Sequence, residues 1–300
     1  GDQGFLAKLY SYMNLRFITC PQYCLICDKD LDLVTSYKLP VCSSEECIKA
    51  YNSPSCGGGS VINEIHSQPE VVDLLLNLLA TAASGVNTRG FNRNGIGLDV
   101  NRDPNNFMMW GYQQQQQKQT FEPFPHNMGF NRKNGDQDID LLMETLDSIP
   151  SVKEMQKCAS DEQLKVLLDD ISPLCFPLLS WVIKSNRAHL TLIPAEKQIK
   201  EMGTNLQFQV VNSFPEHEKK FHQWQERARR ETKNKKGSYF AFHGSSITNW
   251  HSIIRTGLRS GFVPGIYMAQ EAATSYGYMQ VGQNKATGWA NTAWKLSDKI

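Results

Sequence analysis

The stretch Phe-Ala-Phe-His-Gly-Ser at residues 240–245, followed by Gly-Ile-Tyr at 265–267 and then by Ser275 and Tyr278, decides the fold of this chain. Alternating aromatic and small residues predict that the first segment begins as a short β-strand and ends in a polar turn. The second segment is predicted to form another short strand. The predicted order is uncommon: a strand that ends in His-Gly-Ser, a helix, a strand that carries a Tyr, and a helix that carries a Ser and a Tyr. These residues are therefore the first candidates for a functional site.

Two helices are predicted beside these strands. The first spans residues 249–258, because its apolar residues recur at helical spacing and Gly257 lies near its end. The second is a short helix over residues 270–279. The apolar face predicted for the first helix consists of Trp250, Ile253, Ile254 and Leu258.

The composition bounds the class of the protein. Three hundred residues, 40% of them hydrophobic and 20% charged, allow one large domain or a few small ones with a core. A net charge of +1 gives no strong nucleic-acid signal. The longest apolar run, residues 71–83, is shorter than the roughly 18 residues that span a bilayer. No signal peptide is found, so we expect an intracellular protein, cytoplasmic or nuclear, without a membrane partner.

Six of the eight cysteines lie in one stretch near the start of the chain. Cys24 and Cys27 form a CxxC pair, and Cys42 and Cys47 form a second pair at the start of a predicted helix. Two such pairs can complete a tetrahedral site, so we predict a structural zinc ion bound by these four cysteines. Free buried thiols remain the alternative. Two neighbouring cysteines fall outside the regular spacing, Cys20 and Cys56.

The remaining chain alternates between helical and irregular segments. Residues 69–83 predict a well-buried helix, because they are apolar nearly all round. Residues 86–137, rich in Asn and Gln, have no periodicity and predict a disordered linker. Helical periodicity then returns, with a capped helix start at Ser160. Two later segments predict strands, at 188–194 and 208–211.

Residues 216–237 form a strongly charged and mostly basic run. Three interpretations remain open for it: a solvated helix and loop, a nuclear-localisation-like patch, and an anion-binding patch. The run also contains His217 and His222, which are five residues apart. That spacing does not place them on one helical face, so no metal site is predicted here.

The residues at 240–278 resemble the diphtheria-toxin-like ADP-ribosyltransferases, the poly(ADP-ribose) polymerase-like enzymes. That family has His-Gly-Ser at the end of one strand, Gly-Ile-Tyr at another, and a Ser and a Tyr eight and eleven residues beyond that Tyr, as Tyr267, Ser275 and Tyr278 are here. The cysteine pairs, the helix at 70–83 and the stretch at 177–189 resemble the cysteine-rich, mono-ADP-ribosylating branch.

The resemblance implies an α+β fold. It is the ADP-ribosyltransferase fold with split antiparallel sheets, preceded by helices and a small four-cysteine zinc module. We expect the catalytic domain to be incomplete at its C-terminal end, because residues 281–300 lack the last strands of the fold. The expected division is a zinc module with a buried helix at 1–85, a linker at 86–137, a helical segment at 138–187 and the catalytic domain at 188–300.

The resemblance further implies an NAD⁺ site whose nicotinamide end is held by four residues. The backbone amide and carbonyl of Gly244 would approach the nicotinamide carboxamide, because glycine has no side chain in the way. The Ser275 hydroxyl would bond the same carboxamide. Tyr267 and Tyr278 would sandwich the ring, and such aromatic pairs add about 0.5–1.5 kcal/mol beyond burial.

The ribose end of NAD⁺ is assigned by the same resemblance. His243 would hydrogen-bond the 2′-hydroxyl of the adenosine ribose, and Ser245 would donate near the adenine-side ribose. His243 and Tyr267 are the expected catalytic residues. Polymerising members also have a later glutamate, and no Glu follows Glu271 in this chain. Either the chain is cut before that motif position or its end is irregular, and elongation of a polymer is not expected.

The sequence therefore predicts an NAD⁺-dependent protein mono-ADP-ribosyltransferase, a pentosyl-transferring enzyme that releases nicotinamide and modifies a protein acceptor. The alternative is a catalytically inactive module that keeps the ADP-ribosyltransferase fold and the zinc and acts through interactions alone. A nucleic-acid-binding protein that uses the cysteines and the basic run is the third hypothesis, and the near-neutral charge weakens it.

Overall fold

The computed structural model describes residues 4–31, 40–42, 44–52, 59–89, 128–133, 137–213, 215–258 and 265–279. The chain divides into two compact units. The first unit comprises Gly1–Gly59 and Lys184–Phe240, and the second comprises Ser60–Ile183 and Ala241–Ile300. The four-part division expected from the sequence remains a prediction.

Helices dominate the described residues, and the two strands form a small antiparallel sheet. The helices are α1 (Phe5–Thr19), α2 (Glu45–Asn52), α3 (Val61–Ser67), α4 (Pro69–Arg89), α5 (Ile139–Ser148), α6 (Val152–Met155), α7 (Asp161–Asp169), α8 (Cys175–Ser185), α9 (Pro215–Glu231), α10 (Ile247–Thr256) and α11 (Ala272–Tyr276). The strands are β1 (His189–Leu192) and β2 (Phe208–Asn212).

The sheet belongs to the first unit and confirms both strands predicted from alternating apolar residues. β1 and β2 are antiparallel, with Leu190 opposite Val210 and Leu192 opposite Phe208. The register shifts between His189 and Leu190, where β1 begins. Of this pair, Leu190 is buried whereas Val210 is exposed, so β1 is covered better than β2 at this point of the sheet.

Two helices of the first unit have exposed surfaces of opposite character. None of the side chains of α1 is buried, although most of them are apolar. α9 covers most of the basic run, and its arginines pair with its own glutamates, as in the 2.8 Å contact between Arg227 Nε and Glu231. This arrangement agrees with the solvated-helix interpretation of the basic run.

The core of the second unit is organised around α4. This helix packs against α3, α5, α6 and α10, and its leucines from Leu75 to Leu79 are buried on several sides, which confirms the sequence prediction. Full burial of one such side chain contributes about 1.5–3 kcal/mol. The sequence analysis missed a polar stripe on the same helix, formed by the buried Asp73, Asn77 and Thr81.

Local capping residues explain where several helices of this unit begin. The Ser160 side chain accepts from the Gln163 N–H at the start of α7, as predicted. Ser151 and Glu154 form a reciprocal capping box at α6. Each cap satisfies N–H groups that have no partner within the helix, and replacement of such a cap by alanine typically costs about 1 kcal/mol.

The two short strands predicted at 240–242 and 265–268 are wrong in extent. They reduce to one antiparallel bridge, in which Phe242 and Ala269 exchange hydrogen bonds of 2.7 and 2.9 Å. Gly265 has φ +105°, which lies outside the extended conformation of a strand. The helices predicted at 249–258 and 270–279 do form, as α10 and the shorter α11.

The predicted linker overlaps with ordered structure at both ends. α4 continues to Arg89, and Phe130 is buried and accepts a hydrogen bond from the Asp138 N–H. Residues 90–127 and 134–136, and the predicted irregular end at 281–300, lie outside the described residues. Among the described helices, none has the length and apolar character needed to cross a membrane.

Candidate functional site

The four predicted metal ligands converge in the first unit. The sulfur atoms of Cys24, Cys27, Cys42 and Cys47, here called the cysteine centre, all lie within 4.8 Å of one another. A tight turn brings the CxxC pair together, because the Asp28 N–H donates to the Cys24 carbonyl at 2.9 Å. Cys47 comes from the first turns of α2. The alternative ligand Cys20 is not a member of this group, and Cys56 lies outside the described residues.

The surroundings of the cysteine centre give its thiols different pKa values. Burial raises the pKa of Cys24, but backbone N–H groups of Cys27 and Cys42 stabilise the thiolate and bring the pKa down to about 6. Burial and the neighbouring thiols raise the pKa of Cys47 to about 12. Close, buried thiols therefore resist becoming thiolates together unless a cation compensates their charge.

The spacing of the sulfurs is compatible with zinc. Four sulfurs at about 2.3 Å from a tetrahedral Zn²⁺ lie about 3.8 Å apart. The sulfurs of Cys27 and Cys42 are 3.8 Å apart. Cys24, Cys42 and Cys47 are buried, whereas Cys27 is exposed. Four thiolates fill all positions around a tetrahedral ion, so the arrangement favours a structural role over a catalytic one.

The second unit brings together the residues expected to bind NAD⁺, here called the donor site (His243, Gly244, Ser245, Tyr267, Ser275 and Tyr278). The bridge between Phe242 and Ala269 aligns the first two segments. His243 Nδ1 lies 2.9 Å from the carbonyl oxygen of Tyr267. A carbonyl oxygen only accepts, so Nδ1 carries the proton and Nε2 is the acceptor in the neutral ring.

The backbone of Gly244, in the His-Gly-Ser segment, packs against α11. A Cβ atom at this position would lie 1.9 Å from the carbonyl oxygen of Ser275 and 3.2 Å from Cβ of Tyr278. The first distance is far below a van der Waals contact, so no larger residue fits without a backbone shift. The close approach places Ser275 and Tyr278 directly against the Gly244 backbone.

The side chains of the donor site differ in exposure in a way that suits ligand binding. Ser275 is buried, whereas Tyr267 and Tyr278 are 66% and 67% exposed. Two exposed tyrosines near a glycine backbone offer apolar ring surface to a ligand. Ser245 Oγ accepts a 3.0 Å hydrogen bond from Asn249 Nδ2 of α10, which leaves the Ser245 hydroxyl proton for another acceptor.

The helix after this segment is anchored by two residues that the sequence analysis missed. His251 and Arg255 are the buried residues of α10, whereas the predicted face at Ile253 and Ile254 is only half-buried. Arg255 Nη2 donates to the Val182 carbonyl at 3.0 Å, and burial lowers the pKa of Arg255 to about 9.

Further contacts fix the same arginine. Its Nη1 atom lies 3.1 Å from His251 Nδ1, and its guanidinium carbon lies 5.4 Å from the ring centroid of Trp181 in α8. The only sequence signal for this anchor was the spacing of four residues between His251 and Arg255, which places them on one face of a helix.

Residues 195–292 match the family model described as "Poly(ADP-ribose) polymerase catalytic domain". The match contains every residue of the donor site and none of the cysteine centre. This part of the chain is therefore similar to a poly(ADP-ribose) polymerase catalytic domain, which confirms the resemblance drawn from the motifs.

Two curated proteins are similar to nearly the whole chain. The proteins described as "Protein mono-ADP-ribosyltransferase PARP8" from Mus musculus and from Homo sapiens are each 30% identical to this chain over 305 residues. The aligned region covers 95% of this chain and 31% of each relative. The chain thus spans about a third of the length of the curated relatives it matches, and the similarity extends well beyond the catalytic domain into the cysteine-containing part.

Proposed function

We propose that this chain is an NAD⁺-dependent protein mono-ADP-ribosyltransferase with the ADP-ribosyltransferase fold. The observation that carries the proposal is the contact of the Gly244 backbone with Ser275 and Tyr278, beside the bond between His243 and Tyr267. These contacts bring together three separate segments of the chain, which supports the proposal. The catalytic-domain match and the names of the two relatives support the same activity.

The reaction breaks the glycosidic bond between the nicotinamide nitrogen and C1′ of the ribose. The electron pair of that bond leaves with nicotinamide, and the ribose passes through an oxocarbenium-like transition state. A nucleophilic side chain of the acceptor protein then forms a bond to C1′ and loses its proton. The site therefore has to fix the leaving group and the ribose in the reactive geometry, which is worth several kcal/mol.

The nicotinamide end is assigned to Gly244, Ser275 and the two tyrosines. The backbone of Gly244 and the hydroxyl of Ser275 would bind the carboxamide. The close approach of the Ser275 backbone to Gly244 supports this assignment. The exposed rings of Tyr267 and Tyr278 would enclose the nicotinamide ring and exclude water from the bond that breaks.

The ribose end is assigned to His243 and Ser245. With its proton on Nδ1 and bonded to the Tyr267 carbonyl, His243 presents Nε2 as an acceptor for the adenosine 2′-hydroxyl. Ser245, whose oxygen already accepts from Asn249, would donate its proton to the ribose on the adenine side. We assign His243 and Tyr267 as the catalytic residues, because one orients the ribose and the other the leaving group.

Single transfer rather than polymerisation is supported by the two relatives, both of which are described as mono-ADP-ribosyltransferases. We therefore propose one ADP-ribose per acceptor site, on a protein acceptor in the cytoplasm or nucleus.

We also propose that the cysteine centre binds a structural Zn²⁺. The ligands would be Cys24, Cys27, Cys42 and Cys47. Among the described residues around them, the ion would cross-link a region that contains the buried Val41 and the half-buried Ile26, Leu31 and Tyr51. A bound metal adds its binding free energy to the stability of such a small region.

The experiment for the enzyme is transfer of labelled ADP-ribose. The purified 300-residue chain is incubated with NAD⁺ labelled in the adenylate part, and label on protein is measured beside free nicotinamide. Tyr267→Ala should reduce both signals, whereas Tyr10→Ala, which removes a similarly exposed tyrosine from α1, should change neither. Absence of transfer together with unchanged NAD⁺ binding in Tyr267→Ala would reject the enzyme and favour the inactive module.

A further inference from the structure

Arg187 links the cysteine centre to the rest of the first unit. It follows α8 and precedes β1 in the chain, and its Nη2 atom donates to the carbonyl oxygen of Val41. Val41 is buried and directly precedes the ligand Cys42. The two bonded residues are 146 positions apart in sequence, so the contact holds two distant parts of the unit together.

Arg187 lies near several groups that are negative when ionised. Burial lowers the pKa of Arg187, and Glu216, Cys42, Cys24 and Tyr51 act in the opposite direction. Glu216 lies in the first turn of α9. The guanidinium remains a cation at neutral pH because its pKa is intrinsically far above 7. It is thus a partly desolvated positive charge between the cysteine centre and the start of α9.

Four thiolates around one Zn²⁺ carry a net charge of −2. Burial of such a charge is costly unless cations or hydrogen-bond donors compensate it. We propose that Arg187 is the residue that compensates the charge of the metal-loaded cysteine centre and, through Val41, fixes the backbone of the ligand Cys42. The inference rests on the proposed zinc site and concerns metal affinity, not the transfer reaction.

A competition experiment on the full 300-residue chain tests this role. Zinc content is measured first, and the affinity for zinc is then determined against a chromogenic chelator. Arg187→Met keeps much of the side-chain length and removes the charge and the donors. We expect it to bind zinc about 10- to 100-fold more weakly, the usual loss when a group that supports metal ligands is removed. Arg187→Lys, which keeps the charge, should recover most of that affinity.

The matched control is Lys49→Met. Lys49 is an exposed cation on α2, two residues after the ligand Cys47, and its ammonium pairs with Glu45 at 2.6 Å. It should change zinc affinity by less than about twofold, because exposed charges are screened by water. Should Arg187→Met be insoluble, Arg187→Gln replaces it with the same expected loss.

The outcomes separate the two proposals. A wild-type chain that binds no zinc overturns the zinc site and with it this role of Arg187. A wild-type chain with one bound zinc and an Arg187→Met variant of equal affinity overturns the role of Arg187 alone. An equal loss in Arg187→Met and Lys49→Met also overturns it, since the effect would then be one of general charge. A loss confined to Arg187→Met, with recovery in Arg187→Lys, supports it.

Discussion

The cysteine centre and the donor site are both assembled from short motifs, yet they differ in what surrounds them. Three of the four sulfur ligands are buried and close enough to share one ion. The donor site keeps its two tyrosine rings mostly in solvent. Its segments are joined by one backbone bridge, the hydrogen bond between His243 and Tyr267, and the Gly244 contact. Four cysteines that leave no free coordination position are expected to have a structural role. Exposed aromatic rings are instead typical of a site that binds and releases a ligand.

The largest effect is expected from a substitution that disrupts the cysteine centre. Cys24→Ser removes a buried ligand, and we expect zinc after gel filtration to fall from one equivalent to less than about half, since metal binding and folding of such regions are coupled. Amide hydrogen exchange near residues 24–31 and 40–52 should accelerate at the same time. Cys158→Ser, outside the centre, is the control. Full zinc content in Cys24→Ser would contradict the four-cysteine site.

A smaller effect is expected from Gly244→Ala at the donor site. Its new methyl group would require the Ser275 carbonyl, 1.9 Å away, to move. Displacement of a catalytic group by about 1 Å costs about 100-fold in rate, so kcat/KM for NAD⁺ should fall by about that factor. Zinc content should stay unchanged, which separates the two regions. Gly4→Ala is the control, because an added Cβ meets nothing there and the backbone of Gly4 has φ −56°; wild-type kinetics in Gly244→Ala would disprove the proposed contact.

The next prediction concerns the stability of the second unit rather than ligand binding, and its variant is Arg255→Met. It removes the donor to the Val182 carbonyl in the interior of the second unit. A buried group left without its partner costs about 1–3 kcal/mol, and the free energy of unfolding by urea should fall by that amount. Arg230→Met on the surface of α9 should cost less than about 0.5 kcal/mol. Equal stability of the two variants would show that Arg255 does not anchor α10.

The smallest effect is expected at the exposed ring of Tyr278. Stacking on an aromatic ring contributes about 0.5–1.5 kcal/mol beyond burial, so Tyr278→Ala should raise the Kd for NAD⁺ about 2- to 12-fold. Tyr278→Phe keeps the ring and should bind like the wild type, as measured by calorimetry. A loss as large in the phenylalanine variant would mean that the hydroxyl, not the ring face, contacts the ligand.

Predictions from the sequence succeeded where the interaction is local in the chain. The cysteine spacing placed four sulfurs together, and the apolar periodicity located α4 and both strands of the sheet. Two contacts could not be predicted from such patterns. Arg187 contacts Val41, and Arg255 contacts Val182, across long separations in sequence. In addition, an arginine such as Arg255 within a helix is expected from its sequence to face the solvent. The two short strands were wrong in extent, because the pairing between their segments is confined to the bridge from Phe242 to Ala269.

The thin connection between residues 240–245 and 265–278 has a consequence for folding. The bridge, the hydrogen bond between His243 and Tyr267 and the glycine contact all involve backbone atoms and bury little apolar surface. We therefore expect this region to be among the parts of the protein that open at low free-energy cost. A dinucleotide bound between the two tyrosines would supply the apolar contacts that paired strands would otherwise provide. Ligand binding would then protect these amides from exchange and raise the melting temperature in proportion to the logarithm of its concentration. In this region the substrate would complete the fold as well as occupy the site.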